Sequence, residues 1–382
     1  MRKLSFTLAV VVLTACAAVS RYYDPAKPHH TREGFQNRYP HDYQGDGFWR
    51  WQWDRLGKKL PPPELDLSPV APDLALLNSP AAEIPTVQAD ELQAVQHTVS
   101  ASAPIALTWI GHATVLYQVA GKRLLFDPIF SERSSPVSFI GPRRWQPPGV
   151  ALAQLPHIDA VFISHNHYDH LDLPSVQALQ KQAGGGPQFF VPLGLASWFA
   201  DNVPGAQVKE MDWDDQTQFD SLTIGFTAVQ HWSSREVIDR NESLWGGWAV
   251  LHPSFRFWFS GDLGYSKDTQ DIGNRFGSFD LAAIAIGAYE PEWFMHAQHV
   301  TPAQAVQVMQ DIHARQAVGV HWGTFALSDE PLDQPPRDLA AALAKAGMNS
   351  EQFFVLRHGE SRRFTPQRTA THDATECAKT QC

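Results

Sequence analysis

Four apolar segments of this chain end in metal-ligand side chains, and this feature constrains the fold more than any other. Each segment is rich in β-branched and aromatic residues, as expected of a buried strand. The side chains that follow the segments are, in chain order, His165, His231, Asp262 and His321. Strands that end at one rim of a β-sheet hold such ligands rigidly, while the loops leave room for a substrate. We therefore expect a metal site at one edge of a sheet.

The stretch SHNHYDHLD, residues 164–172, supplies the densest group of ligands. Its candidate ligands, which fall within six positions, are His165, His167, Asp169 and His170. Alternate residues of a turn point in different directions, so the first two can bind one ion and the last two a second ion beside it. Imidazole and carboxylate ligands suit zinc, and Asp262 has two oxygens with which to bridge both ions. Five histidines and two aspartates together predict a centre of two Zn²⁺ ions.

The first fifteen residues are predicted to be a signal peptide. Arg2 and Lys3 precede the apolar run LSFTLAVVVL, which is too short to span a bilayer. The run ends in LTAC, which is typical of a bacterial lipobox, so we expect a lipid on Cys16 that attaches the chain to a membrane. Ala17 stands where an inner-membrane retention signal has Asp, which favours the periplasmic side of the outer membrane. The alternative is an ordinary signal peptide that is cut near Ala17 or Ala18.

The predicted regions after the signal peptide are an N-terminal extension or linker (16–103), a main domain (104–366) and a polar tail (367–382). The extension contains GFWRWQWDRLGKKLPPP at 47–63, an aromatic and basic stretch. This stretch either lies on a membrane surface or packs on the main domain, and packing is favoured. Cys377 and Cys382 lie in the tail, where they could close a small peripheral disulfide in an oxidising compartment. No cysteine lies near the histidine motifs, which argues against a thiolate-ligated zinc site.

The charge balance argues against a nucleic-acid partner. The chain has a formal net charge of −10, and no run of Lys or Arg reaches the density of a phosphate-binding surface. Hydrophobic residues make up 43% of the 382 residues and charged residues 18%, which indicates a globular protein with a substantial core.

The main domain is predicted to alternate strands with helices. Residues 105–130 predict two strands joined by a turn at 120–122, and residues 221–232 predict a strand that runs to His231. Asp172 is a plausible N-cap for the helix that follows the histidine cluster. The segment 301–314 predicts a helix that begins with a capping box.

Together these motifs resemble the metallo-β-lactamase superfamily. More narrowly, residues 106–364 are similar to the N-acyl-phosphatidylethanolamine-hydrolysing phospholipase D group. HxHxDH carries the superfamily resemblance, whereas IGAYEPEWFM and HWGTFALSDE carry the narrower one. The resemblance implies an α/β fold of the metallo-β-lactamase αβ/βα sandwich type, with two mixed β-sheets flanked by helices.

The resemblance also implies a role for each candidate site residue. One zinc ion would be bound by His165, His167 and His231. The other would be bound by Asp169, His170 and His321, with Asp262 bridging both ions; Asp169, Asp262 and His321 are the predicted catalytic residues. His299 is predicted either to line the site or to lie directly behind its ligands. His112 and Asp127 either orient the ligands or are ordinary strand-end residues.

The implied activity is zinc-dependent hydrolysis of a phosphodiester in a phospholipid, which releases phosphatidic acid and an N-acylethanolamine. One alternative is a zinc hydrolase of another ester class, a lactonase or a β-lactamase. Another is a non-enzymatic envelope lipoprotein that retains the fold, and a homodimer is compatible with any of these. The aromatic residues that either hold acyl chains or belong to the core, with the core favoured, are Trp232, Trp293, Phe294, Trp322 and Phe325.

Overall fold

The computed structural model describes residues 19–41, 47–79, 105–236 and 238–366. Within these ranges the chain forms fourteen strands and eight α-helices. The strands are β1 (Ile105–Gly111), β2 (Thr114–Val119), β3 (Lys122–Phe126), β4 (Ala160–Phe162), β5 (Gln188–Pro192), β6 (Gln207–Met211), β7 (Gln216–Phe219), β8 (Leu222–Thr227), β9 (Gly247–His252), β10 (Phe255–Phe259), β11 (Phe279–Ala285), β12 (Ala314–Val320), β13 (Phe353–Val355) and β14 (Ser361–Phe364). The helices are α1 (Gly47–Arg55), α2 (Leu74–Asn78), α3 (Leu173–Gln180), α4 (Ala196–Asn202), α5 (Asp268–Phe276), α6 (Glu292–Met295), α7 (Pro302–Asp311) and α8 (Gln334–Ala346).

The strands form two mixed sheets of seven strands each. The first sheet has the order β14-β1-β2-β3-β4-β5-β6, and the second has the order β13-β12-β11-β10-β9-β8-β7. Each sheet has three antiparallel and three parallel pairings: the antiparallel ones come first when the first sheet is followed from β14 and the second sheet from β7. Helices α3 and α4 pack on the first sheet, and α7 packs on β11 and β12 of the second. The predicted αβ/βα sandwich is therefore confirmed.

Large aromatic side chains fill the space between the two sheets. Tyr117 of β2 packs on Phe257 of β10 with ring centroids 4.5 Å apart, and Phe162 of β4 lies 5.4 Å from Trp248 of β9. All four side chains are fully buried. Side chains of this size remove much apolar surface from water, so the sheets form a rigid support for the loops at their edges.

The segment 105–130 forms three strands rather than the predicted two. The chain reverses at Gly111 and His112, whose φ angles are +138° and +53°, so that β1 and β2 pair antiparallel. Both strands are buried along their whole length, so their apolar sequence shows no break at the turn. The turn places His112 at the ends of β1 and β2, on the rim of the first sheet where the strands stop.

Two other predicted elements differ at their ends. β8 ends at Thr227, so His231 lies in the following loop rather than at the end of a strand. Asp172 precedes α3 as predicted, but its carboxylate accepts a hydrogen bond from the Ser175 hydroxyl rather than from a backbone N–H of the first turn. Helix α7 begins with the predicted capping box.

The described parts of the N-terminal extension pack on the main domain. Phe35 and Leu77 are buried in its apolar clusters, and Trp51 of α1 stacks on Phe294 of α6. The predicted signal peptide, Cys16 and the two tail cysteines lie outside the described residues. None of the helices in the described ranges has the length and apolar character of a membrane span.

Candidate metal centre

Five ligand-type side chains meet where loops from both sheets come together. His165 follows β4 by three residues, Asp262 follows β10 by three, and His321 comes directly after β12. His231 lies four residues beyond β8, and His112 occupies the turn between β1 and β2. Each of the five is at most 3% exposed. The sandwich therefore brings together residues that are up to 209 positions apart (112 to 321) in the sequence.

His165, His167 and His231 form the first cluster. Nε2 of His165 lies 2.8 Å from Nδ1 of His167, and Nε2 of His231 lies 3.4 Å from the same Nδ1. All three ligand atoms lie within 4.8 Å of one another. This cluster is one of the two that the sequence predicted.

Asp169, His170 and His321 form the second cluster. Oδ2 of Asp169 lies 3.4 Å from Nε2 of His170 and 3.4 Å from Nε2 of His321. Asp262 lies between the clusters, because its Oδ2 is 3.1 Å from Nε2 of His170 and 3.9 Å from Nε2 of His165. Its Oδ1 is 3.1 Å from Nε2 of His321. This placement suits a carboxylate that bridges two ions.

The outer nitrogens of the imidazoles show which inner nitrogens can bind a cation. Nδ1 of His170 donates to Oδ2 of Asp127 at 2.7 Å, and Nδ1 of His231 donates to the carbonyl oxygen of Gln298 at 2.9 Å. An imidazole that binds a metal ion is neutral and has only one N–H, so in the metal-bound form each Nε2 carries a lone pair. Nε2 of His170 is buried and has no hydrogen-bond partner. Lone pairs that face carboxylates need positive charge between them, and two clusters of nitrogen and oxygen donors fit metal ions.

The buried carboxylates strongly favour positive charge at the centre. Burial lowers the pKa of His167 to about 4 and holds that of His231 well below its ordinary value. Burial also opposes charge on His170 and His321, yet Asp262 and the neighbouring carboxylates outweigh it. They raise the pKa of His321 to about 9 and that of His170 well above its ordinary value. Cations at the centre would satisfy the same carboxylates.

His112 and Asp127 each contact a predicted ligand. Nε2 of His112 lies 2.9 Å from Oδ2 of Asp169, and burial lowers the pKa of His112 to about 3, so this neutral imidazole donates its N–H to the carboxylate. Asp127 accepts hydrogen bonds from Nδ1 of His170 and from both the amide and the hydroxyl of Ser164. These contacts favour the orienting role over the strand-end alternative, since bound imidazoles and carboxylates are usually held by such partners.

Three residues of the site have left-handed backbone angles. The φ angles are +53° at His112, +39° at Asp127 and +62° at His321. Such angles cost roughly 1–3 kcal/mol each in a non-glycine residue and cluster at functional sites. Local hydrogen bonds hold His112 and His321, because the amide of His321 and Nε1 of Trp109 both donate to the carbonyl of His112, at 2.9 and 2.8 Å.

His299 lies on the open side of the centre, as a site-lining residue should. Its ring is 5.4 Å from that of His231 and 5.5 Å from that of His321, and its buried Nδ1 has no partner. His299 and the ligand His167 are partly exposed, whereas the other six ligands are buried. A cavity of about 880 Å³ touches the ligand loop at Tyr168 but is lined by none of the seven ligands, so it adjoins the centre rather than containing it.

Most of the aromatic residues near the site belong to the core, as the sequence favours. The buried members of the set are Phe294, Trp322 and Phe325, and the partly exposed members are Trp232 and Trp293. Trp232 packs edge-on against His167 with ring centroids 4.3 Å apart. Trp232 is therefore the member of the set that both reaches solvent and contacts a ligand.

Sequence reasoning missed three residues that hold the ligands in place. Oγ of Ser164 lies 2.8 Å from Nδ1 of His165, and its position directly before the motif is the only sequence signal for it. Gln298 acts through its main-chain carbonyl, which no side-chain pattern reveals. Asn37 bonds the backbone of His231 across 194 residues, and no local pattern connects the two.

Comparisons with known proteins agree with this geometry. Residues 122–322 match a family described as the Beta-lactamase superfamily domain. The chain is 40% identical over 266 residues to N-acyl-phosphatidylethanolamine-hydrolyzing phospholipase D 1 of Caenorhabditis elegans, an alignment that covers 66% of this chain and 74% of the nematode protein. It is 34% identical over 260 residues to the mitochondrial N-acyl-phosphatidylethanolamine-hydrolyzing phospholipase D of Saccharomyces cerevisiae. That alignment covers 65% of this chain and 55% of the yeast protein, less than two thirds of its length.

A solved structure supports the fold alone. A metallo hydrolase from the archaeon Ignicoccus hospitalis superposes with a TM-score of 0.52 at 21% identity, covering 68% of this chain and 98% of the archaeal one. The two mixed sheets are thus shared with a metallo hydrolase, and a shared fold does not by itself define the substrate.

Proposed function

The chain belongs to the metallo-β-lactamase superfamily, and on that premise we propose that it is a dinuclear zinc phosphodiesterase that cleaves N-acyl-phosphatidylethanolamine. The pair of ligand clusters joined by Asp262 carries the proposal. A phosphodiester bears its charge on oxygens that two adjacent cations can bind together. The 40% and 34% identities to two N-acyl-phosphatidylethanolamine-hydrolyzing phospholipases D support this substrate over a lactone or a β-lactam.

The seven ligands would hold the two ions in two groups. The groups are His165, His167 and His231 for one ion, and Asp169, His170 and His321 for the other, with Asp262 shared. Imidazoles with a few carboxylates are donors that suit zinc, and no cysteine lies among the described residues. When bound, two such ions lower the pKa of a shared water toward ~7 and neutralise charge on a phosphoryl group.

The remaining side chains of the site would position the substrate and the ligands. His112 holds Asp169 so that the carboxylate faces His170 and His321. His299 is neutral at pH 7 because burial lowers its pKa to about 4, and its Nδ1 has no protein partner. This imidazole is therefore placed to hydrogen-bond a phosphoryl oxygen on the open side of the centre.

The proposed reaction breaks the P–O bond on the ethanolamine side of the phosphodiester. Water supplies a hydroxyl to phosphorus and a proton to the leaving oxygen, so that the products are phosphatidic acid and an N-acylethanolamine. Such a substrate lies in a bilayer, and the aromatic side chains of α1 suit a membrane surface. Trp49 and Trp53 are 76% and 75% exposed, while Trp51 packs inward.

Hydrolysis assays on the purified protein test the proposal. We expect turnover of N-acyl-phosphatidylethanolamine, close to two zinc ions per chain by elemental analysis, and loss of activity on chelation with recovery on adding zinc. Parallel assays with a lactone and a β-lactam serve as controls. A protein that opens lactones but leaves both the lipid and a simple phosphodiester intact contradicts the substrate assignment. Absence of any bound transition metal contradicts the centre itself.

We also propose that the mature protein is a lipoprotein attached through Cys16 to the periplasmic side of the outer membrane. The LTAC sequence after a short apolar run supports the lipid attachment, and Ala17 directly after the cysteine supports the outer membrane. Mass spectrometry of the native protein should show a lipid on an N-terminal cysteine, and Cys16→Ser should remove it. A mature terminus that begins at another residue without lipid contradicts the proposal.

A further inference from the structure

The N-terminal strap, which we define as residues 19–41, is anchored to the second half of the chain by a buried carboxylate. Nε2 of His29 lies 2.7 Å from Oδ1 of Asp212, and Nε2 of His30 lies 2.9 Å from Oδ2. Lys27 also donates to Oδ2. The Asp212 side chain is only 4% exposed, so its contacts with the two histidines are shielded from water and hold the strap in one place.

A second anchor lies on the other side of the strap. Phe35 is buried in the main core, and its amide donates to the carbonyl of Asn241 at 2.8 Å. The neighbouring Gly34 has a φ of +157°, and a Cβ there would lie 2.1 Å from the same carbonyl oxygen. Only glycine allows this approach, so the strap meets the backbone of Asn241 without room for adjustment.

Beyond both anchors in the chain, Asn37 bonds the backbone amide and the backbone carbonyl of the metal-ligand residue His231. Oδ1 of Asn37 accepts from the amide of His231 at 3.0 Å, and Nδ2 donates to the carbonyl of His231 at 2.9 Å. Nε1 of the buried Trp245 also approaches Oδ1, at 3.2 Å. The two hydrogen bonds to His231 have the pattern of a β-sheet backbone pairing, although β8 has already ended at Thr227.

The pairing bears directly on the ligand. The ring of His231 is held at Nδ1 by the carbonyl of Gln298, but that contact sets the ring only if the backbone beneath it is fixed. The backbone groups of His231 are fixed by the two bonds from Asn37. We propose that Asn37 is a positioning residue of the metal centre, through which the N-terminal strap completes the first cluster. The inference rests on the metal site of the proposed function.

Metal binding by Asn37 variants tests the inference without using turnover. Asn37→Ala removes both bonds to His231, and Asn37→Asp keeps the acceptor but sets a carboxylate oxygen against the His231 carbonyl. We expect each variant to bind the zinc ion of the first cluster (His165, His167 and His231) about 10–100-fold more weakly. This is the usual effect of losing a residue that orients a ligand. The second ion, held by Asp169, His170 and His321, should keep its affinity. In the Co²⁺-substituted protein the visible spectrum should change at one site only.

Gln36→Ala is the matched control, because Gln36 is the exposed neighbour of Asn37 and bonds only the carbonyl of Pro28 among the contacts assigned to its side chain. It should leave both affinities and the spectrum unchanged. A strap that acts only on stability would lower the melting temperature of the metal-free Asn37 variants while leaving the spectrum and both affinities as in the wild type, and that result overturns the inference.

The two proposals fail in different ways. A wild type that binds two ions but cleaves no phosphodiester removes the proposed substrate, and the metal-affinity comparison still decides the role of Asn37. A wild type that binds no ion at His165, His167 and His231 overturns the inference together with the metal site.

Discussion

Asp262 differs from the other carboxylates of the centre because each of its oxygens faces a different part of the ligand set. Oδ2 lies between His170 and His165, and Oδ1 faces His321. Burial would raise the pKa of this carboxyl, but His170 and His321 hold it well below its ordinary value, so the group is ionised at neutral pH. A neutral amide of the same shape would lack the charge that two cations require.

We therefore expect Asp262→Asn to lower kcat by about 10³-fold or more, on the scale of losing a group that stabilises transition-state charge. Both metal affinities should fall, since the residue is shared. Asp201→Asn, on an exposed side chain, is the control and should leave kcat and both metal affinities unchanged. Kinetics and zinc stoichiometry on the same preparations provide the measurement. Normal turnover of Asp262→Asn with two ions bound would show that the residue does not bridge.

His112 is an orienting residue at the same scale, and its effect should be smaller. His112→Ala removes the hydrogen bond to Asp169 and should cost about 10–100-fold in activity or metal affinity. His112→Asn is the matched variant, because asparagine tolerates the φ of +53° and still has a donor N–H. We expect it to retain more activity than the alanine variant. Equal activities of both variants would show that the hydrogen bond to Asp169 does not set the activity.

At the scale of elements, the strap depends on the ionised form of Asp212. Burial opposes this charge, but hydrogen bonds from His29 and Lys27 outweigh it and hold the pKa of Asp212 well below its ordinary value. A carboxyl with a depressed pKa contributes stability above its unfolded value of 3.8, and this contribution is lost as the pH falls through and below that value. The anchor should therefore be complete at pH 7 and weaken in acid.

Asp212→Asn should lower the free energy of unfolding by about 3 kcal/mol at pH 7, because it leaves buried basic side chains without their partner. The difference from wild type should shrink as the pH is lowered from 5 to 3, because the carboxyl of the unfolded wild type takes up a proton near its ordinary pKa of 3.8 while the folded carboxylate stays ionised. Urea unfolding of both proteins across this pH range measures this difference in the free energy of unfolding. A difference that stays constant with pH would mean that the charge of Asp212 does not matter to the strap.

At the scale of the whole molecule, the two sheets share one order of pairings, and the centre lies where their loops meet. Neither sheet supplies all of the ligands, since His165 follows a strand of the first sheet and Asp262 and His321 follow strands of the second. The aromatic core between the sheets sets their separation. The geometry of the centre is consequently a property of the packed sandwich rather than of either half.

The exposed tryptophans of α1 lead to a prediction for the whole molecule at a membrane. Replacing Trp49 and Trp53 by serine in a Cys16→Ser background should weaken vesicle binding by about 10-fold or more, because each ring contributes a large apolar area at the interface. Leu65→Ser, on an exposed residue outside α1, is the control. Co-sedimentation with phospholipid vesicles measures the binding. Unchanged binding of the double variant would show that α1 does not contact the bilayer.

The sequence by itself determined the fold class and all seven candidate ligands. The ligands follow from short-range patterns, namely apolar strands that end near His, Asp and His and the HxHxDH cluster within six positions. The fold class follows from the resemblance of the motifs to the metallo-β-lactamase superfamily. Local spacing is enough to show which residues have ligand chemistry, because the motif and the strands that carry it are continuous in the chain.

Only the tertiary structure decided how these residues are held. The turn at His112 is hidden within fully buried strands, the carbonyl of Gln298 has no side-chain signature, and Asn37 meets His231 across 194 residues. Such contacts depend on how the sheets pack and on where the strap is anchored. Hydrogen bonds between distant segments leave no periodicity or spacing in the sequence, so they become visible only when the chain is folded.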